Sequence, residues 1–182
     1  MTRILIPEFD DAPAASKPIL DAFNRQFGFT PNIFRVLSLS PRALAGWAGL
    51  QNALAKTLDS ETRDGIALAV SQTNSCLYCL SAYTTCARNV SKLDPEEVSR
   101  NRQGTSSDPK RYAALNFAKK VVETSGKLTE TDLDTVRQAG FTDANIVEII
   151  ALSAQCLLTN LINNVFETPI DFPVAPPQPA SA

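Results

Sequence analysis

Residues 64–83 read DGIALAVSQTNSCLYCLSAY. The first half carries Ile66, Leu68 and Val70, and predicts the body of an apolar helix that opens at Asp59 or Ser60. Asn74 or Ser75 then stands where a cap belongs. The second helix they announce carries Cys76 in its first turn and Cys79 one turn further along. Outward from this stretch the punctuation stays helical. Upstream, Ser16 and Pro18 open a helix through Leu20, Phe23 and Phe27 to a stop at Gly28. PNIFRVLSLS predicts a short helix after Pro31, and Ser40-Pro41 begins another with Leu44, Trp47, Leu50 and Leu54. Downstream, Asp94-Pro95 and Asp108-Pro109 each pair a cap with a proline. Thr129 caps a helix that ends at Gly140, and Thr142 begins a last, most apolar helix that Pro169 must end. No alternating pattern or tight hairpin turn marks a strand. The fold class expected is all-α.

Within this frame, NRQGTSSDP at 101–109 is the one polar loop between helices. PVAPPQPASA is a proline-rich, extended tail, so the chain divides into a helical domain at 1–173 and a tail at 174–182. A length of 182 residues suits one domain with a real core. The net charge of -2 argues against nucleic acid, because phosphate binding needs a basic surface. MTRILIPEFDDAP is too short in its apolar part for a signal peptide. Ile146–Ile162 is apolar but carries Glu148, Gln155 and Asn160, and reads as a buried helix rather than a membrane span. A cytoplasmic protein without membrane association is expected.

Four cysteines in such a chain do not suggest a structural disulfide framework. Cys76 and Cys79 lie at C-x-x-C spacing at the electropositive start of a helix, which favours thiolate over thiol. Helical residues three apart have Cβ atoms about 5–6 Å apart. A disulfide prefers roughly 3.5–4.5 Å, so closing the pair requires a local adjustment and gives a bond suited to cycling. Zinc would need two further ligands. The chain has no histidine, and Cys86 sits about 10.5 Å up the axis from Cys79. No metal and no cofactor are expected. Two core cysteines spaced by chance remain the bland alternative, and Cys86, Cys156 and Trp47 read as core. Asn160, Asn163 and Asn164 either line a polar cavity or serve as ordinary hydrogen-bonding groups, and the second reading is preferred.

The run from Asp64 to Cys79 resembles the core of the AhpD-like alkylhydroperoxidases in the carboxymuconolactone decarboxylase superfamily. That core is an acid, eleven residues, Cys-x-x-Cys, three residues and a histidine. GFTPNIFRVLSLSPRAL upstream, and GFTDANIVEI with TNLINNVFETPIDFP downstream, look like its peroxidase-related branch. The resemblance implies an AhpD-like helical bundle that assembles into homo-oligomers, trimers or hexamers. It also implies reduction of a peroxide by a thiolate, followed by disulfide formation and reduction by a protein or small-thiol partner. Cys79 would attack and Cys76 resolve, the acid would fall on Asp64, and the family histidine falls on Tyr83. Aspartate reaches less far than the family's glutamate, and phenol cannot accept a proton at neutral pH as imidazole can. Tyr83 can still donate a hydrogen bond to a Cys79 thiolate one turn away. The expectation is a redox-competent site weakened as a peroxidase. Two other functions stay open. One is a decarboxylase-like enzyme, with Arg35, Arg42 or Arg63 holding an acid; the other is a non-catalytic redox sensor or assembly protein.

Overall fold

Most helices begin where a short polar side chain folds back on the chain. The computed structural model describes residues 2–178, which form nine α-helices and no strand. They are α1 (Lys17–Phe27), α2 (Asn32–Ser38), α3 (Pro41–Leu54), α4 (Ser60–Thr73) and α5 (Leu77–Asn89), followed by α6 (Pro95–Arg102), α7 (Pro109–Glu123), α8 (Glu130–Gln138) and α9 (Asp143–Phe166). Ser40, Asp59, Asp94, Asp108, Thr129 and Thr142 each accept a backbone N–H from the third residue onward. Such caps contribute about 1 kcal/mol apiece. Ser16 is the N-cap of α1, as expected, but makes no side-chain capping bond. Its hydroxyl donates to the Ser38 carbonyl at 2.8 Å and so ties the start of α1 to the end of α2. The last helix stops before Pro169, at Phe166, with Glu167 in the left-handed region.

The centre of the fold is α4, which packs against α5, α6, α7 and α9. Its residues 65–71 are all buried. Gly65 permits the close approach of α7, since a Cβ there would lie 3.0 Å from the Leu115 methyls. Ile66 and Val70 join Leu115, Phe117, Ile149, Leu152 and Cys156 in one core. By length and composition α9 is the one helix among the described residues that could cross a membrane. Here its apolar positions Ile146, Ile149 and Leu152 are core.

A second cluster is aromatic. Phe23 stacks on Phe34 at 3.7 Å, and Trp47 leans on Phe34 at 5.1 Å. With Leu20, Ile33 and Leu44 they close over Cys76, Tyr78 and Cys79. Helices α1–α3 are thus a cap of apolar rings over the cysteine pair.

The polar segment at 101–109 is less loose than its composition suggests, for Asn101 and Arg102 still belong to α6. The rest is stapled to Glu97, which is only 4% exposed. That carboxylate accepts from Ser107 N and Oγ, Ser106 Oγ, Arg100 Nε and Arg111 Nη1. Burial alone would raise its pKa; the Ser106, Arg100 and Ser107 bonds outweigh it and hold the group at about 2. The described part of the tail, residues 174–178, lies on its own chain. Ala175 is buried beside Leu80 and Val98, and donates its N–H to Ser81 Oγ at 3.0 Å. The rest of the proline-rich tail, 179–182, lies outside the described residues.

Glu97 makes the fold acid-sensitive. Its folded pKa lies below the ordinary 4.5, so its stabilisation is present above that value and fades as pH falls toward 2. Glu97→Gln should therefore cost about 3 kcal/mol at neutral pH, as breaking a buried ionic network does. The gap to wild type should narrow below pH 4.5 in denaturant titrations. A gap that does not change with pH would refute this role.

Candidate active site

The thiol pair is made by the turn between α4 and α5. Ser75 takes a left-handed conformation, φ 52°, while Ser75 and Cys76 donate their N–H groups back to Gln72 and Ser71. This reverses the chain within three residues. It leaves Cys76, and neither Asn74 nor Ser75, as the N-cap of α5. Cys76 is extended, φ -86° and ψ 92°, so it lies outside the regular helical geometry that keeps Cβ atoms three residues apart too distant. Its sulfur accepts the Cys79 N–H at 3.3 Å. The two sulfurs, both free, stand 2.6 Å apart with the Cys76 thiol donating to Cys79.

Both sulfurs are enclosed, Cys76 at 0% and Cys79 at 3% exposure. The enclosure is apolar on the side of α1–α3 and polar on the side of α9. There, Asn163 Nδ2 donates to Cys79 Sγ at 3.2 Å. Asn160 accepts from Asn74 Nδ2 at 3.0 Å and donates to Ser71 Oγ at 3.2 Å, and Asn164 Nδ2 donates to the Asn74 carbonyl. Two of the three asparagines thus brace the turn that presents the pair, and the third touches the sulfur. Tyr78 seals the other side. Its hydroxyl donates to Asp171 Oδ1 at 2.7 Å and accepts from Ile33 N, while Phe172 meets its ring edge-on.

The electrostatics separate the two thiols. The hydrogen bond from Cys76 lowers the Cys79 pKa; burial opposes it, and Asn163, Asn160 and Thr159 add to the lowering. Cys76 moves the other way. Giving its proton to the Cys79 sulfur raises its pKa well above the usual thiol range, and burial raises it further. The lowering expected at the helix start falls on Cys79, and Cys76 does not share it. The contact between them shifts Cys79 toward the thiolate and Cys76 toward the thiol.

Tyr83 and Asp64 stand further off. Tyr83 follows Cys79 on the same helical face, yet its hydroxyl meets Cys156 Sγ at 3.8 Å and makes no hydrogen bond to Cys79. Burial drives its pKa well above 10, so it remains a phenol. Asp64 Oδ2 accepts from Ser91 Oγ at 2.6 Å, and burial raises its pKa. Its charge acts on Cys86 and Cys156, whose pKa values burial has already pushed to about 11 and about 12. Cys156 is within electrostatic reach of Cys79 as well. Arg35 is spent on Glu8 and the Pro7 carbonyl, and Arg63 on the Leu58 carbonyl.

The sequence profile of the Carboxymuconolactone decarboxylase family matches residues 41–120. These include the α4–α5 turn. The fold superposes on the AhpD core of a peroxidase-related protein from Ralstonia eutropha JMP134, with a TM-score of 0.84 and 27% identity over 93% of this chain and 92% of that one. The middle of the chain thus matches the Carboxymuconolactone decarboxylase family, and the whole described chain has an AhpD-like fold. A peroxidase-related protein from Silicibacter sp. TM1040 shares this AhpD-like fold, with a TM-score of 0.80 and 24% identity over 92% and 90% of the chains. So does the debrominase Bmp8, with a TM-score of 0.78 and 23% identity over 94% and 93%. No curated protein matches the chain by sequence.

Set on this AhpD-like frame, Cys76 and Cys79 come together, while Asp64 and Tyr83 gather with Cys156 and Cys86. Asn163 is the group that the sequence reading undervalued. Its signal was there: Cys156, Thr159, Asn160 and Asn163 form one polar-leaning stripe at helical spacing on an otherwise apolar helix. Asn163→Leu removes a donor to the thiolate. It should raise the Cys79 pKa by about one to two units, measured by ultraviolet thiolate absorbance. Tyr83→Phe should leave that pKa in place. A shift on Tyr83→Phe as large as that on Asn163→Leu would overturn this assignment of donors.

Proposed function

We propose that this protein is a thiol-dependent peroxidase, or a related thiol-disulfide oxidoreductase, that works with Cys79 and Cys76. The observation that carries the reading is the 2.6 Å approach of two free sulfurs, one favoured as thiolate and the other held as thiol. The superfamily and the fold support an enzyme of peroxidase-related or decarboxylase-like type. The sulfur geometry favours the former.

In this reading the Cys79 thiolate attacks the terminal oxygen of a hydroperoxide. The O–O bond breaks, Cys79 becomes a sulfenic acid, and the alkoxide leaves with the proton of the Cys76 thiol. Cys76, now a thiolate, attacks the Cys79 sulfur. The S–S bond forms, and the departing hydroxide takes a proton from solvent to become water. The peroxide is reduced by two electrons and the dithiol is oxidised by two. A protein or small-molecule dithiol restores the pair. No imidazole is required for the proton to move, because the Cys79 pKa is lowered and the Cys76 thiol sits beside it.

The missing histidine still has a cost. General acid–base help is typically worth about 10²–10⁴-fold, and here a single thiol supplies it from within a closed site. With Cys79 only 3% exposed, peroxide reaches it through local opening of the cover formed by Tyr78, Phe172 and Asp171. Modest turnover follows. The cytoplasm, with its reducing partners, is the setting that this cycle needs. The homo-oligomer, trimer or hexamer, remains part of the proposal. Apolar Val147, Leu158, Leu161 and Val165, which α9 leaves exposed, support it.

Stopped-flow consumption of cumene hydroperoxide tests the function. Wild type should react with one equivalent per pair and form the Cys76–Cys79 disulfide. Cys76→Ser should stop at a Cys79 sulfenic acid, trappable with dimedone, and Cys79→Ser should lose the reaction. Equal rates for wild type and Cys79→Ser would reject the proposal.

A further inference from the structure

Helix α5 has two working faces. Cys79, Tyr83 and Cys86 occupy one; Ser81, Thr84 and Arg88 lie about half a turn round, toward α6 and the tail. Between them is a cavity of about 340 Å³. Its walls are Pro95 and Val98 of α6 and Pro176 and Pro177 of the tail, with Arg88, Arg102, Thr84, Ser99 and Gln178 supplying the polar groups. The volume lies at the small end of the range for ligand pockets.

Arg102 is the anomaly. It is 6% exposed, yet its protein partners are neutral: Nε donates to Gln72 Oε1 at 3.0 Å, and Nη1 to the Pro176 carbonyl at 2.7 Å. No carboxylate pairs with it among the described residues. The nearby acids of α6 are taken, Glu96 by Arg100 and Glu97 by Arg100 and Arg111. Arg88 is exposed and has no ion-pair partner among the described residues either. Thr84 Oγ1 is buried with no hydrogen-bond partner. A buried guanidinium that lacks a counter-charge is costly to hold. Here that charge, a second guanidinium and an unsatisfied hydroxyl line the same apolar cavity, in a protein whose net charge is -2. A generally basic surface therefore does not account for them.

We propose that this cavity is a binding site for a small organic carboxylate. Its head group pairs with Arg102 and Arg88, as guanidinium forks pair with planar oxyanions, and accepts from the Thr84 hydroxyl. Its apolar body lies between Val98 and the prolines. The Pro176–Gln178 segment forms one wall, held by Arg102 itself and by the bond from Gln178 Nε2 to the Ser99 carbonyl. The site is separate from the sulfurs and does not depend on their chemistry.

Isothermal titration of the full chain with benzoate, benzamide and inorganic phosphate tests this. Benzoate should bind, and benzamide, its neutral isostere, should bind at least about tenfold more weakly, the value of a charge-assisted hydrogen bond. Phosphate should also be weaker, since it leaves the apolar walls empty. Arg102→Met and Arg88→Met should each weaken benzoate about tenfold or more. Arg88 is exposed, so Arg88→Met keeps the test decisive should Arg102→Met fail to fold, and Thr84→Val should give a smaller loss. The proposal is overturned by no benzoate binding, by benzamide binding as well as benzoate, or by unchanged affinity in Arg88→Met. Phosphate binding at least as tightly as benzoate would also overturn it, by making the site one for a free inorganic anion.

Discussion

A backbone N–H pointing at a sulfur organises the site. Cys79 donates its amide to Cys76 Sγ, which makes a cysteine the N-cap of α5 and draws its side chain back over the first turn. Without that bond the pair would keep the Cβ separation of a regular helix, about 5–6 Å, wider than a disulfide prefers. With it, the two sulfurs lie 2.6 Å apart, and the two thiols cease to be equivalent. The conformation at Ser75 and the braces from Asn160 and Asn164 hold the turn that makes this possible.

Enclosure works against this activation, and the balance decides the chemistry. Burying a thiolate disfavours it, and the site is almost sealed. Three kinds of donor oppose that penalty: the Cys76 thiol, the Asn163 amide, and the Asn160 and Thr159 side chains. Each charge-assisted bond contributes about 1.5–3 kcal/mol, or one to two pKa units, so a few of them outweigh partial desolvation. Cys156 and Cys86 show the reverse. Cys156 has the Tyr83 hydroxyl alone and Cys86 has no such donor, so desolvation leaves both above the ordinary thiol value. Burial alone makes a cysteine inert; burial beside donors makes it selective.

Much of the scaffold was legible because it rests on local rules. Ser40-Pro41, Asp94-Pro95, Asp108-Pro109, Thr129 and Thr142 announce their helices through side chains that bond within three residues. The cap of α5 was misplaced because Asn and Ser are the preferred caps, while cysteine takes that position only when tertiary structure turns it there. Tyr83 was placed on the correct face, but face does not set direction. Its ring sits where all three apolar clusters meet, and its hydroxyl finds Cys156. Asn163 was visible only as one polar residue on an apolar helix. Its target lies 84 positions away in the chain, a distance that no local pattern spans. Arg102 was hidden in the same way, since sequence does not reveal which guanidinium lacks a carboxylate.

The central claim is that Cys79 is the acidic thiol because Cys76 donates to it. Titration of the protein labelled with ¹³Cβ-cysteine, assigned through single serine variants, reads the two sulfurs separately without requiring reagent access. The account predicts that Cys79 titrates below 9.0 and Cys76 far above it, and that Cys76→Ala moves Cys79 upward. If Cys76 deprotonates first, or Cys79 does not respond to the loss of its neighbour, the account is wrong.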